Sequence, residues 1–376
     1  MTSHYTDYRQ KWRQRRQRMR LRRLPLFVAG LALLAAIGVL SARERRPQLG
    51  VVAWAYGNGS RGMPRLGMDD GVLVAVWEYG SVTAHSAATG VPLWPAPFDR
   101  AHQFDGPPAL GGQRIVMGGS DGQVRCLDLH TGELLWGFDA QTIVRSHPLV
   151  LADRVCIGGD DGRLYCLKLA DGTLLWAYPP VDQADRDPIL GGPAAWGHTL
   201  VCGSCARDAF GLDLQTGALR WRMALEAPVV ARVAVEAGRA YIAAENGTAV
   251  CLLAEDGKPI WQKQVAFLVR QPIAVRNQRA FILATDGTVW CVDALTGRDL
   301  WRRKLRGRPT TCAATDEERL YVGTSEDLVE ALDQQTGNTA WQWRPGSKPL
   351  GEVLIDPQRL YCTTADARVF AVRLAR

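Results

Sequence analysis

The stretch GQVRCLDLHTGELLW, from Gly122 to Trp136, recurs in altered form along most of the chain. Aligning its last residue gives Trp94, Trp136, Trp176, Trp221, Trp261, Trp301 and Trp341, spaced 42, 40, 45, 40, 40 and 40 residues apart. A period near forty marks stacked supersecondary units. Four residues before each tryptophan stands glycine (Gly90, Gly132, Gly172, Gly217, Gly257, Gly297, Gly337), preceded by Thr in five copies and by Asp171 and Asp256 in the others. Such a pair suits a tight turn, with glycine at positive φ and the side-chain oxygen bonding locally. Eight residues before the tryptophan, Asp128, Asp213, Asp293 and Asp333 are placed to accept main-chain N–H groups across that turn, whereas Ser86, Lys168 and Leu253 show that the role is dispensable. Ten residues before it the chain carries Ala84, Cys126, Cys166, Gly211, Cys251, Cys291 and Ala331. All are small, which predicts a tight contact between strands or sheets at that position.

Upstream of each copy lies a second alternating run, as in RVCIGGDDGRLYC, RAYIAAENGTAVC and RAFILATDGTVWC. Apolar residues flanking Asp-Gly or Asn-Gly read as a hairpin, giving about four strands per repeat. The fold class is therefore all-β, with four-stranded antiparallel sheets repeating as the blades of a β-propeller. The pattern small-x-Asp-x-x-Thr-Gly-x-x-x-Trp also resembles the tryptophan-docking repeat of quinoprotein-type (PQQ-like) propellers. Cys126 to Trp136, Cys291 to Trp301 and Ala331 to Trp341 match it in full, apart from Cys in place of Ala. The resemblance spans roughly residues 50–376 and implies that each indole docks between neighbouring blades and donates its N–H.

After Trp341 the runs LGEVLID, RLYCTTAD and ARVFAVRLA supply three strands and no fourth. Residues 51–56, VVAWAY, place Trp54 forty residues ahead of Trp94, where a closing tryptophan belongs. The arithmetic predicts eight blades, the amino-terminal strand completing the last; the alternative is seven blades and a loose strand. The 45-residue interval before Trp221 contains YPPVDQADRDP, expected to protrude as a loop.

Residues 1–23 carry nine Lys/Arg against Asp7 alone, and residues 24–42 carry no charge. Nineteen helical residues can just cross a hydrocarbon core. Pro25 falls in the first turn, where its missing N–H costs little. The basic excess places the amino terminus inside. The sequence thus predicts a cytoplasmic segment (1–23), an uncleaved transmembrane anchor (24–42), a linker (43–49) and a periplasmic or extracellular propeller (50–376), monomeric on the inner or plasma membrane. A cleaved signal peptide is the alternative, although Leu40-Ser41-Ala42 lacks the small residue expected three before a cut. The net charge of +7 resides in the anchor region; residues 47–376 hold 33 basic and 36 acidic groups, which gives no reason to expect nucleic acid.

Nine cysteines form an odd set. Cys126, Cys166, Cys251 and Cys291 repeat one position in different blades, too far apart to bridge, and read as buried thiols. Cys202-Gly203-Ser204-Cys205 is a single C-x-x-C without a second pair or spaced histidines, so a local disulfide or two free thiols outrank a metal site. The first strand of each blade lines the channel, and IVRSHP, ADRDP, LVRQP and GRPTT mark where several begin. Arg145, His147, Asp185, Arg186, Asp187, Arg270 and Arg308 are thereby expected at one mouth or on the channel wall, able to bind an anionic ligand or a partner segment. A wet channel also tolerates such charges without any ligand.

Two functions follow from the resemblance. Quinoprotein alcohol dehydrogenases hold their quinone over the funnel with calcium, an adjacent Cys-Cys disulfide and an acidic catalytic residue. This chain has no Cys-Cys pair and lacks those enzymes' extra length, so neither the quinone nor calcium, nor an enzyme, is expected. The repeat is also similar to that of propeller lipoproteins of the outer-membrane β-barrel assembly machinery, which implies a scaffold for an envelope protein. Here all nine cysteines lie beyond residue 125, leaving none near the apolar segment to carry lipid. The reading is a non-catalytic, membrane-anchored binding propeller. A ligand-sensing propeller and a quinone-dependent dehydrogenase are the alternatives.

Overall fold

A computed structural model describes residues 51–374, apart from 58–61, 78–79, 100–103, 105, 181 and 183–186. The basic segment and the anchor lie outside the described residues. Among those described, no helix is long and apolar enough to cross a membrane.

The described residues form eight four-stranded sheets, all with antiparallel pairing. Seven take their strands in sequence order from the inside outward; blade 3, for instance, runs Leu149–Val150, Arg154–Gly158, Leu164–Lys168, Leu174–Tyr178. Blade 8 is built from both ends of the repeat region. Pro349–Ile355, Arg359–Thr364 and Val369–Arg373 are its inner three strands, and Val52–Tyr56 is its outer strand, pairing Trp54 with Ala371 and Tyr56 with Val369. Eight blades closed by the amino-terminal strand is thus the architecture, and the seven-blade alternative falls.

The tryptophans explain the repeat. Every docking indole from Trp54 to Trp301 lies on the glycine of the next blade's turn: a Cβ on Gly132 would sit 2.6 Å from Trp94, and one on Gly257 2.5 Å from Trp221. These glycines also have φ near +70°, so both the turn and the neighbour require them. The indole N–H of Trp136 donates to Leu169 O at 2.9 Å and that of Trp301 to Gln334 O at 2.9 Å. At the ring closure Trp54 donates to Ala87 O at 3.1 Å and lies against Gly90. The small position ten residues upstream is the cross-strand partner of the tryptophan itself, as in Cys126 opposite Trp136 and Gly211 opposite Trp221. A Cβ on Gly211 would fall 2.2 Å from the Trp221 Nε1. The turn aspartates do what their spacing predicts: Asp293 Oδ1 accepts N–H groups from Leu295 and Thr296 at 3.1 and 2.8 Å. Hydrogen bonds from Thr296 hold its carboxyl below the ordinary range, against partial desolvation.

Two details depart from expectation. Trp94 lies outside a regular strand: the outer strand of blade 1 is Phe98–Asp99, and Pro92, Pro95 and Pro97 interrupt the run where other blades place the tryptophan within a strand. The indole still donates to Leu129 O at 3.1 Å, so docking survives loss of the strand. Trp341 has no hydrogen-bond partner for its N–H among the described residues. Other blades supply the acceptor in the turn between third and fourth strands, and blade 8 has no such turn because its fourth strand comes from the other end of the chain.

Candidate functional site

The inner strands share one register. Gly67, Ala109, Leu149, Ala194, Ala234, Ala274, Ala314 and Leu354 occupy the same rung, each facing an equivalent residue of its second strand. Two residues earlier come Arg65, Pro107, His147, Gly192, Arg232, Pro272, Cys312 and Glu352; Arg65 and Glu352 lie within their inner strands and the other six just ahead of theirs. These positions converge around the channel. Arg232 Nη1 lies 3.1 Å from His147 Nε2, across the gap left by Gly192, whose added Cβ would meet His147 Cβ at 2.8 Å and Arg232 Cγ at 3.1 Å.

Glu352 sits at a bulge between Leu350 and Val353, a device that re-aims side chains. Its Oε2 has no hydrogen-bond partner among the described residues, and burial raises its carboxyl above the ordinary range despite the nearby charges of Arg65 and Arg232. Arg65 and Arg232 form no ion pair among the described residues. Cys312 Sγ lies 3.2 Å from Gln271 Oε1, and burial pushes its thiol up to about 12. The ring thus holds two guanidinium groups, one carboxyl and a histidine.

His147 is lowered to about 3, first by burial and second by the Arg232 charge. The neutral ring accepts from Arg232 through Nε2 and donates through Nδ1 to Pro148 O at 2.8 Å. The unfolded chain protonates this histidine near pH 6.5, so acidification from there towards pH 3 favours unfolding. Imidazole nitrogen NMR should show His147 neutral down to about pH 5; titration near the ordinary histidine value would remove the Arg232 contact.

Of the residues expected at the channel, His147 is the described one that belongs to this ring. Arg145, Arg270 and Arg308 lie on the connections just ahead of the inner strands, which begin at Leu149, Ala274 and Ala314, later than the sequence suggested. Those connections are tied to the turns between second and third strands by Asp160 N–Ile143 O, Thr285 N–Leu268 O and Ser325 N–Arg308 O hydrogen bonds. Arg145 Nε donates to Asp160 Oδ1 at 3.0 Å and Arg270 Nε to Glu245 Oε1 at 2.7 Å. Asp187 instead lines a pocket of about 100 Å³ between blades 3 and 4, with Tyr178, Asp208 and Arg222. Asp185 and Arg186 lie outside the described residues. The sequence reading missed Arg65, Arg232, Cys312 and Glu352.

The nine cysteines are unbridged thiols; Cys202 is buried in its strand and Cys205 lies in the following turn. No group of three or more His, Cys, Asp or Glu side chains that could hold a metal occurs among the described residues.

A family model described as outer membrane protein assembly factor BamB matches residues 78–228, 206–313 and 291–375. The chain belongs to that family. No curated protein matches it. Among solved structures, BamB from Moraxella catarrhalis superposes with a TM-score of 0.74 at 19% identity, covering 86% of this chain and 97% of that one. The computationally designed protein Ika8 gives 0.75 at 16%, covering 87% and 100%. Quinohemoprotein alcohol dehydrogenase from Comamonas testosteroni gives 0.70 at 14%, covering 86% and 76%. At these identities the structures share the propeller fold with this chain.

Proposed function

We propose that this chain is a membrane-anchored, extracytoplasmic scaffold whose propeller holds an envelope protein partner, without catalysis of its own. The observation that carries the proposal is the composition of the connecting loops. Ile143, Phe267 and Leu268 are 39, 51 and 43% exposed on the same connections that carry Arg145 and Arg270. Exposed apolar side chains interspersed with arginine suit a protein surface better than a small solute. The ion pairs of Arg145 and Arg270 are exposed, and such pairs are worth about 0–1 kcal/mol, so a partner's carboxylates can compete for these arginines cheaply. The family's described role as an assembly factor agrees with a scaffold.

The calcium that the resemblance to quinoprotein dehydrogenases would imply does not suit the channel ring. The ring presents a single carboxyl flanked by two guanidinium groups, and a calcium ion takes six to eight oxygen ligands. A second reading, small-ligand sensing, draws support from Arg65, Arg232 and the Glu352 Oε2, which has no hydrogen-bond partner among the described residues.

A pull-down from detergent-extracted membranes, with mass spectrometry, is the test, run beside metal analysis and absorbance of the same sample. The scaffold reading expects a reproducible envelope protein, lost in the triple variant Phe267→Ser, Leu268→Ser, Arg270→Glu while the melting temperature holds. Stoichiometric quinone and calcium without a protein partner would overturn it.

A further inference from the structure

In blade 3 the strand Arg154–Gly158 pairs with Leu164–Lys168, and Cys156 lies directly opposite Cys166. Their sulfurs are 2.9 Å apart and both side chains are fully buried. The hydrogen-bond pattern fixes the kind of pair. Gly159 N donates to Arg163 O at the turn, Gly158 N turns away to the Ser146 hydroxyl at 2.7 Å, and Lys168 N turns away to Thr173 O. Alternation along the ladder then makes Cys156 and Cys166 a non-hydrogen-bonded pair, where opposite Cα atoms stand about 4.5 Å apart and side chains approach most closely. That spacing lies inside the range a disulfide spans, roughly 4.4–6.8 Å.

The same two positions hold Val116 and Cys126 in blade 2, Tyr241 and Cys251 in blade 5, and Phe281 and Cys291 in blade 6. Among the described residues, only blade 3 carries cysteine at both. Its neighbour contributes a third thiol: Cys202 of blade 4 belongs to the same buried cluster.

We propose that Cys156 and Cys166 are a thiol–disulfide site that closes into a cross-strand bond when the chain folds in the presence of a disulfide oxidant. The chemistry is exchange. One thiolate attacks a sulfur of the oxidant's disulfide and releases a thiol; the second cysteine attacks the mixed disulfide and releases the other thiol. The oxidant gains two electrons and two protons, and the protein loses two hydrogens. Folding is the time for it, since both sulfurs are sealed from water afterwards and burial holds Cys156 far above the usual thiol range. The bond staples the blade that carries Arg145 and His147 and precedes the connection to blade 4.

The experiment uses the purified full-length chain, independent of where the protein resides. It is denatured, reduced, refolded with a mixture of oxidised and reduced glutathione, alkylated and digested. The expected product is a peptide pair joined through Cys156 and Cys166, two hydrogens lighter than its reduced parts. Reductant should then lower the melting temperature by a few degrees, and the double variant Cys156→Ala, Cys166→Ala should melt at one temperature with or without reductant. Full alkylation of both cysteines in the refolded protein, or a bond from either to Cys202, overturns the proposal. A melting temperature of the wild type indifferent to reductant does so as well.

Discussion

A chain lacking residues 51–56 should fail to yield a soluble, cooperatively melting propeller. Deletion removes the outer strand of blade 8 and with it four ladder pairs to Val369–Val372. It also empties the slot filled by Trp54, which lies on Gly90, donates to Ala87 O and packs beside Tyr361 at 6.0 Å between ring centres. Losing one docked aromatic costs about 3–5 kcal/mol. The freed ladder adds an exposed strand edge, which invites association. Together these approach the whole stability of an ordinary domain, roughly 5–15 kcal/mol. Size-exclusion chromatography and calorimetry of the truncated chain check this, and a monomer with unchanged melting would mean that blade 8 closes without this strand. A synthetic peptide spanning 49–57 should restore the monomer, because the edge of Val369–Arg373 is its template.

The fold was legible because its joints are chemically uniform. Each joint from Trp54 to Trp301 needs a glycine under its indole, and each repeat a small residue ten positions before the tryptophan, so Gly90 to Gly337 and Ala84 to Ala331 repeat with the period of the blades. Trp54 could be recognised from spacing alone, and with it the ring closure. The channel ring could not. The equivalent residues are Arg65, Pro107, His147, Gly192, Arg232, Pro272, Cys312 and Glu352, and a position that changes chemistry in every blade leaves no periodic trace. Distance from the shared rung of the inner strands defines it, and that rung follows from ladder pairing. Arg145 and Arg270 were visible as charges, yet their partners Asp160 and Glu245 sit in turns 15 and 25 residues away in sequence, which spacing does not connect. The facing cysteines were accessible: Cys156 and Cys166 lie symmetrically about the Asp-Asp-Gly turn, as opposite residues of a hairpin must.

The joint between blades 4 and 5 permits a measurement of what one docked tryptophan contributes. Trp221→Ala should destabilise the protein by about 3–5 kcal/mol, since the indole is 9% exposed and its N–H is bonded to Ala254 O at 3.1 Å. Trp221→Phe keeps most of the apolar contact but leaves that carbonyl short of its donor, at about 1 kcal/mol for the bond alone. The same change at Trp341 should cost less, because its N–H has no bond to lose. Gly257→Ala acts from the opposite side. Its φ of +72° strains any side chain, and the added Cβ falls 2.5 Å from the Trp221 ring, so both conformation and contact oppose it. The contact part exists only while the indole is present. In the double variant it vanishes and the conformational part remains, so the two destabilisations should sum to more than the double shows, by about 1 kcal/mol or more. Denaturant melts of the four proteins give the cycle. Strict additivity would mean that Trp221 does not rest on Gly257, and the explanation of the repeat as a series of indole-on-glycine joints would fail with it.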